Sequence, residues 1–277
     1  MGKLKDFISS ANVQNIAKLL SANVVAQMIG LIVYPILSRI YAPEDFGLLN
    51  LFLSIGNVVL VISLADYYYS IVLPKEDNDA AALAHVSLVS LIVTVLLLTV
   101  SILFAHPISA LFKSPKLETY YWLLPIYVFF MGGWNILNYW YIRHKQFGRI
   151  SGYQISQSVL SATGKLGFGY ANVLSAGMIY SVVIAPVISL ISSLLIVRKK
   201  YLLPLLSFSW KDVRLQSCKY KNFPMFVLPR SFINVLAGQL PVLLLTPFFG
   251  AKFVGLMSMA VLLSYTPINT ISRAIYQ

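Results

Sequence analysis

The sequence predicts an all-α, polytopic membrane protein with about eight transmembrane helices, in which a six-helix bundle is followed by the start of a second bundle. Of the 277 residues, 58% are hydrophobic and only 11% are charged. A soluble domain usually has about a quarter of its residues charged. Apolar runs of roughly the 20 residues that a spanning helix needs recur along the whole chain. We therefore expect no soluble domain of any size.

Eight apolar runs are separated by turn-rich breaks, the clearest of which are 41–45, 74–79, 106–118 and 250–252. The predicted spans, numbered 1 to 8, are residues 17–40, 46–70, 81–104, 119–142, 151–171, 173–197, 224–248 and 255–276. This division predicts a first bundle over 1–200, a cytoplasmic loop over 201–223, and the first two helices of a second bundle over 224–277.

The distribution of basic residues predicts the orientation. With the N-terminus in the cytoplasm, fourteen lysines and arginines fall on the cytoplasmic side, against four on the other side (Arg39, Lys113, Lys116 and Lys252). The positive-inside rule favours this arrangement strongly. The net charge of +12 is thereby explained by loop composition, and no nucleic-acid partner is expected. We expect a multi-pass membrane protein with its N-terminus in the cytoplasm.

A weak internal repeat relates the first and seventh spans. When 21–48 is laid over 229–256, Gly30 aligns with Gly238, Tyr41 with Phe249, and Gly47 with Gly255. Six spans separate the two copies, so both copies begin on the same side of the membrane. A parallel repeat of six-helix units is a common plan in transporters. By this reading, spans 7 and 8 begin a second unit.

The sequence contains no arrangement of side chains typical of an enzyme. The three histidines fall at different span ends without metal-ligand spacing, and no glycine-rich loop follows a strand. We therefore predict no catalytic residues, no metal site and no cofactor.

Polar side chains inside spans are the candidates for function, because each is costly in the bilayer unless it faces protein or water. In span 5, Gln157 and Ser161 belong to a stripe that leads at helical spacing to Lys165. Lys165 is either a cation that lines a cavity and meets an anionic substrate, or a lysine whose side chain extends to the outer headgroups.

Spans 1 and 7 carry similar stripes. Arg230 and Asn234 share one face of span 7, and Asn23 and Gln27 share one face of span 1. Arg230 either lines a cavity or extends back to the cytoplasmic surface. Hydrogen bonds between helices explain such stripes as well as substrate contact does. Asp66, near the end of span 2, is either a coupling or gating carboxylate or the partner of a cytoplasmic lysine or arginine.

Several motifs resemble those of a known family. The run Tyr41-Ala42-Pro43-Glu44-Asp45-Phe46-Gly47 resembles the Y-x-P-E-x-F-G signature of bacterial polysaccharide flippases, the O-antigen and capsule repeat-unit translocases of the MATE-like MOP superfamily. Further similarities follow in the order of the family: Ile71-Val72-Leu73-Pro74, Asn138-Tyr139-Trp140 with Arg143 and Phe147, Phe223-Pro224, and Gln239-Leu240-Pro241-Val242-Leu243-Leu244-Leu245 with Phe248-Phe249-Gly250-Ala251.

This resemblance implies translocation of an undecaprenyl-pyrophosphate-linked oligosaccharide from the cytoplasmic to the periplasmic leaflet, for O-antigen or capsule synthesis. It implies alternating access coupled to H⁺ or Na⁺, and cavity cations for which Arg230 and Lys165 are the candidates. It implies a location in a bacterial inner membrane, with membrane lipids and the polymerase or chain-length machinery as partners. Relatives often have Arg-Tyr-Glu where this chain has Asp66-Tyr67-Tyr68, so contacts there are expected to differ.

Two other functions stay open. A multidrug or cation antiporter of the same superfamily would be expected to carry an acidic residue deep in a span, whereas the deep charges here are basic. A membrane glycan polymerase or ligase would need a sizeable periplasmic loop, and the longest outer loop has about a dozen residues. Relatives of the flippase family are longer, so we also expect a C-terminally truncated flippase that lacks part of its cavity wall.

Overall fold

The computed structural model describes the backbone of residues 11–196 and 199–276, and the side chains of 21–173, 175–196 and 203–261. Regular structure in these residues is helical throughout, with no strand among them. The predicted all-α class is confirmed. Residues 1–10, which include the predicted cytoplasmic N-terminus, and the side chains of 262–276 in predicted span 8 lie outside this description.

Helices occur at all eight predicted positions. The long helices are α1 (Ala11–Ile40), α2 (Pro43–Ser63), α3 (Asp77–Val100), α6 (Leu123–Arg143), α7 (Phe147–Tyr170), α8 (Leu174–Ile196) and α11 (Leu228–Tyr276). The shorter elements are 3₁₀ helices at Tyr67–Val72 and Ser101–Phe104, helices α4 (Ala105–Leu111), α5 (Pro115–Tyr120), α9 (Lys199–Leu206) and α10 (Trp210–Lys219), and a π-helix at Phe223–Val227. Predicted spans 7 and 8 are the two parts of α11.

Five helical segments of the described chain are long and apolar enough to cross a membrane: Ser21–Ile40, Pro43–Ser63, Asp77–Leu111, Ser175–Ile196 and Phe223–Val261. Their outer faces support this assignment, because large apolar side chains such as Leu97 (67% exposed) and Leu103 (82% exposed) would be unfavourable in water. The chain is therefore a polytopic membrane protein. Helices α6 and α7 have 21 and 24 residues but are not among these five segments, so the count of eight crossings stays a prediction.

The predicted loop 201–223 contains the helices α9 and α10. In α10, Val213 and Gln216 are three residues apart and both are buried. This face packs on α3, and the hydroxyl of Ser209 accepts a hydrogen bond from the amide of Asp212 at 3.4 Å, which caps the helix. Both helices are short and α10 is mostly polar, so the hydropathy that identifies spans of about 20 residues did not reveal them.

Helix α11 bends at Gly250, where the backbone leaves the helical region (φ 78°, ψ 168°). A positive φ of this size favours glycine, because a side chain would be strained there. Both sides of the bend contact α2, since Gln239 accepts a hydrogen bond from Ser54 and Gly255 lies against Pro43. The predicted break at 250–252 is therefore a sharp turn between two helical parts.

The contact between α2 and α11 is reciprocal. A Cβ atom on Gly47 would overlap the carbonyl oxygen of Ala251, and a Cβ atom on Gly255 would overlap that of Pro43. In the alignment of the two copies, Gly47 corresponds to Gly255 and Pro43 to Ala251. Each copy therefore makes the same backbone contact to the other, as two units related by an approximate two-fold axis do.

An ion pair follows the same relation. Lys252 Nζ lies 3.9 Å from Glu44 Oε1, and these two residues also occupy equivalent positions in the two copies. A residue that meets its own equivalent lies close to the two-fold axis. Opposite charges at this position turn what would be a like-charge contact into an attractive one. Together, the ion pair and the glycine contacts support the predicted repeat.

The start of α2 is stabilised by two features that are common at helix N-termini, a proline in the first position and a side chain that caps the helix. Pro43 is the first helical residue, and Asp45 Oδ2 accepts a hydrogen bond from the amide of Ala42 at 3.1 Å. Asp45 Oδ1 accepts a second bond from the hydroxyl of Ser175 at the start of α8, and Lys116 Nζ donates to that hydroxyl at 3.4 Å. The run around Tyr41 to Gly47 therefore serves packing and capping.

Candidate functional site

Two adjoining cavities lie between α1, α2 and α7. The larger, of about 430 Å³, extends from Gln27 to Lys165 and also touches α11 through Ser258. The smaller, of about 360 Å³, is open and polar, and lies nearer the start of α7. Four residues line both cavities: Ala26, Gln27, Ser158 and Ser161. The two cavities are therefore continuous.

The polar residues of these cavities form one line, which we call the polar track. Its members are Asn23, Gln27, Gln154, Gln157, Ser158, Ser161 and Lys165. The members on α7 recur every three or four residues, so they project from one face of the helix. From Gln154 to Lys165 the track covers about 16 Å at 1.5 Å per residue. Five of the seven predicted substrate-binding residues belong to it.

Hydrogen bonds fix the two helices that carry the track. The hydroxyl of Ser158 donates to the carbonyl oxygen of Ala26 at 2.8 Å, and the hydroxyl of Tyr41 donates to the carbonyl oxygen of Lys165 at 2.6 Å. Near the end of α7, a Cβ atom on Gly169 would lie 2.7 Å from Ile40 Cγ2, so glycine there permits close packing of the helices. The distance between α1 and α7 is thereby set at both ends of the larger cavity.

Lys165 is the cation of the track. Its side chain lines the larger cavity and is half-buried, and no acidic side chain forms an ion pair with it among the described residues. A cation without a partner in a largely apolar environment attracts anions strongly, because the surroundings screen its charge poorly. The arrangement provides a polar path that ends at a positive charge.

Arg230 and Asn234 are not brought into the track. Both side chains are exposed on α11, and neither lines either cavity. Gln239, further along α11, does face the bundle, because its Oε1 accepts a hydrogen bond from the hydroxyl of Ser54 at 2.8 Å. The stripe at 230 and 234 was visible in the sequence, but the direction in which it faces depends on how α11 packs.

Asp66 lies apart from the track, between α2 and the 3₁₀ helix Tyr67–Val72. It is 1% exposed, and its backbone is left-handed (φ 53°). Its carboxylate lies close enough to Ser231, at the start of α11, to interact with it electrostatically, while Oδ2 is buried without a hydrogen-bond partner. None of the ion pairs among the described residues includes Asp66, so the alternative of a lysine or arginine partner is not observed.

Sequence reasoning missed part of the cavity wall. Tyr34, Asn50 and Ser258 also line the larger cavity. Asn57, two helical turns after Asn50 on α2, bonds to another helix instead, because its Oδ1 accepts a hydrogen bond from the hydroxyl of Tyr127 at 3.1 Å. Ser258 gave no signal, because an isolated serine is ordinary in a membrane helix, whereas Tyr34 follows Asn23 and Gln27 at helical spacing on the same face of span 1.

No group of three or more His, Cys, Asp or Glu residues that could hold a metal ion occurs in the part of the chain that the structure describes. Among the described histidines, His85 Nε2 lies 2.9 Å from the carbonyl oxygen of Leu205, and His106 Nδ1 lies 3.0 Å from Glu118 Oε2. Each of these imidazoles has a structural partner.

Comparison with known proteins gives one result at the level of the family. The model of the family described as "Polysaccharide biosynthesis protein" matches residues 36–277, which is most of the chain. No curated protein and no solved structure matches the chain significantly. The match begins just before the run around Tyr41 and includes α2 to α11.

Proposed function

The chain belongs to the polysaccharide biosynthesis protein family, and on that premise we propose that it translocates lipid-linked oligosaccharide repeat units from the cytoplasmic to the periplasmic leaflet. Polysaccharide synthesis requires that hydrophilic glycans cross a membrane. A protein composed almost entirely of apolar helices is suited to provide that path. The substrate class that we propose is an undecaprenyl-pyrophosphate-linked oligosaccharide.

The observation that carries the proposal is Lys165 at the end of the polar track. Amide and hydroxyl groups along α1 and α7 can exchange hydrogen bonds with sugar hydroxyls, and each such group is costly in a membrane without a partner. The lysine can attract a pyrophosphate or an acidic sugar electrostatically. An antiporter of cationic drugs would be expected to have an acidic group at this position.

Coupling to an ion gradient is assigned to Asp66 in this proposal. A buried carboxylate without a cation favours binding of H⁺ or Na⁺, because the isolated charge is poorly solvated. The Ser231 contact joins the end of α2 to the start of α11, so ion binding at Asp66 can change how these elements meet. We further propose an inner-membrane location with a cytoplasmic N-terminus, and contact with the polymerase or chain-length machinery.

Gene deletion tests the proposal. Loss of the gene should block surface glycan and leave lipid-linked repeat units facing the cytoplasm, as measured by glycan staining and by accessibility of the lipid-linked sugars. Normal surface glycan in the absence of the protein and of any paralogue would contradict it.

Complementation of the deletion strain tests the residues. Lys165→Gln should reduce surface glycan about tenfold or more, because it removes the positive charge of the track. A tenfold reduction corresponds to a loss of about 1.4 kcal/mol of interaction free energy. Lys113→Gln is the matched control, since Lys113 is exposed. Arg230→Ala distinguishes the two readings of that residue: a loss larger than that of the control would support a cavity role. Equal effects of the Lys165 and Lys113 variants at equal expression would exclude the track as the path.

A further inference from the structure

A third cavity lies where α6 ends, α7 begins and α8 ends. It has a volume of about 430 Å³ and shares no residue with the polar track. We call it the basic cavity and define it by six lining residues: Lys145, Arg149, Tyr153, Ser156, Ser189 and Ser193. By the orientation predicted from the basic residues, it opens at the cytoplasmic side.

The basic cavity is positively charged, and no acidic side chain of its described lining neutralises that charge. Lys145 and Arg149 line it. Arg149 Nε donates to Gln146 Oε1 at 3.3 Å, but Arg149 Nη1 is buried without a hydrogen-bond partner. The hydroxyl of Tyr153 is also buried without a partner. A guanidinium is always charged, so a buried N–H of this kind favours an anionic acceptor.

Space and further hydroxyl groups accompany the charge. Gly148 and Gly152 lie one helical turn apart on the wall, and a Cβ atom on either would meet no atom within 4 Å. The opposite wall of α8 presents serine hydroxyls; Ser156 donates to the hydroxyl of Ser189 at 3.1 Å, which links α7 to α8. The cavity therefore combines room for a ligand with donors suited to phosphate oxygens.

We propose that the basic cavity binds a phosphate group, with a membrane lipid as the favoured carrier. From Phe147 to Ser156 the wall extends about 14 Å along α7, which takes it from the helix end toward the apolar interior. A lipid phosphate could lie between Arg149 and Lys145 while its chains pass beside Ile196, which also lines the cavity. Basic pockets between helices on the cytoplasmic side of membranes are typical binding sites for anionic lipid headgroups.

The proposal is separate from the translocation path, and a binding assay tests it without any transport. The purified full chain in neutral detergent is titrated with dioctanoyl phosphatidylglycerol, a short-chain polyprenyl pyrophosphate, dioctanoyl phosphatidylcholine and inorganic pyrophosphate. Binding is followed by native mass spectrometry and by the unfolding temperature. We expect the first two ligands to bind saturably and phosphatidylcholine to bind at least tenfold more weakly.

Two variants and one control locate the binding. Arg149→Gln should weaken binding about tenfold or more, and Gly152→Leu should block it by filling the cavity, with the fold retained because the wall is open there. Arg214→Gln, an exposed arginine on α10, should leave binding unchanged. Inorganic pyrophosphate that binds as tightly as the lipids, and depends on Arg149, would support a phosphate site with a soluble ligand. Binding that Arg149→Gln and Gly152→Leu leave unchanged would overturn the proposal.

Discussion

Arg143 joins two segments that are distant in the sequence. Its guanidinium donates to Asp77 Oδ1 at 2.9 Å and to the carbonyl oxygens of Ile71, Pro74 and Lys75 at 3.3, 2.6 and 3.0 Å. These contacts connect the end of α6 to the turn before α3. Two of the motifs that resemble the flippase family are therefore in contact, and this contact holds the two segments together.

A lysine cannot replace this arginine, because only the planar guanidinium reaches several acceptors at once. Arg143→Lys should destabilise the protein by about 2 kcal/mol, through loss of hydrogen bonds at a side chain that is 10% exposed. The unfolding temperature of the purified protein in detergent measures this. Asp77→Asn should cost about 1 kcal/mol or less, because Asp77 is half exposed. An unaltered unfolding temperature for Arg143→Lys would show that the contacts contribute little.

Among the elements, the packing of α2 on α11 sets the tightest constraint. Gly47 and Gly255 each face a backbone carbonyl of the other helix, so neither position has room for a methyl group. Gly30 and Gly238 are also equivalent in the repeat, but a Cβ atom on either would meet nothing within 4 Å. The chain thus provides a constrained glycine pair and an unconstrained one within the same repeat.

This contrast gives a matched prediction. Gly47→Ala and Gly255→Ala should each destabilise the protein by about 3 kcal/mol, because the two helices must separate to admit the methyl group. Gly30→Ala and Gly238→Ala should be neutral or slightly stabilising, since alanine favours a helix over glycine. Thermal unfolding and size-exclusion profiles of all four variants provide the measurement. Similar stabilities for both pairs would argue against the close contact between the repeats.

At the scale of the whole molecule, the orientation in the membrane is set by charge. Fourteen basic residues lie on one predicted side and four on the other, and by the positive-inside rule the side with fourteen is the cytoplasmic one. Cys218 is the one cysteine of the sequence, and it is exposed on α10, within the predicted cytoplasmic segment. It is therefore a natural reporter of topology.

Labelling with a membrane-impermeant maleimide should leave Cys218 unmodified in intact spheroplasts and modify it after permeabilisation. In a Cys218→Ser background, Lys113→Cys should react in intact spheroplasts, because Lys113 lies on the opposite predicted side. Mass shifts of the purified protein report both reactions. Modification of Cys218 in intact spheroplasts would reverse the proposed orientation.

The sequence by itself determined the membrane class, the positions of the long helices and the polar stripe on α7. These properties are local: hydropathy over about 20 residues identifies a span, and helical spacing places Gln157, Ser161 and Lys165 on one face. The stripe on α1 could be read in the same way. Hence five of the seven predicted substrate-binding residues lie together in the polar track.

Only the tertiary structure decided which faces meet. Spacing placed Arg230 and Asn234 on one face but could not show that both are exposed, since this depends on how α11 packs against the other helices. The basic cavity around Arg149 was likewise hidden, because its walls come from separate helices with no shared motif. Helix periodicity defines which residues share a face, whereas the partner of each face is fixed by contacts between residues far apart in the sequence.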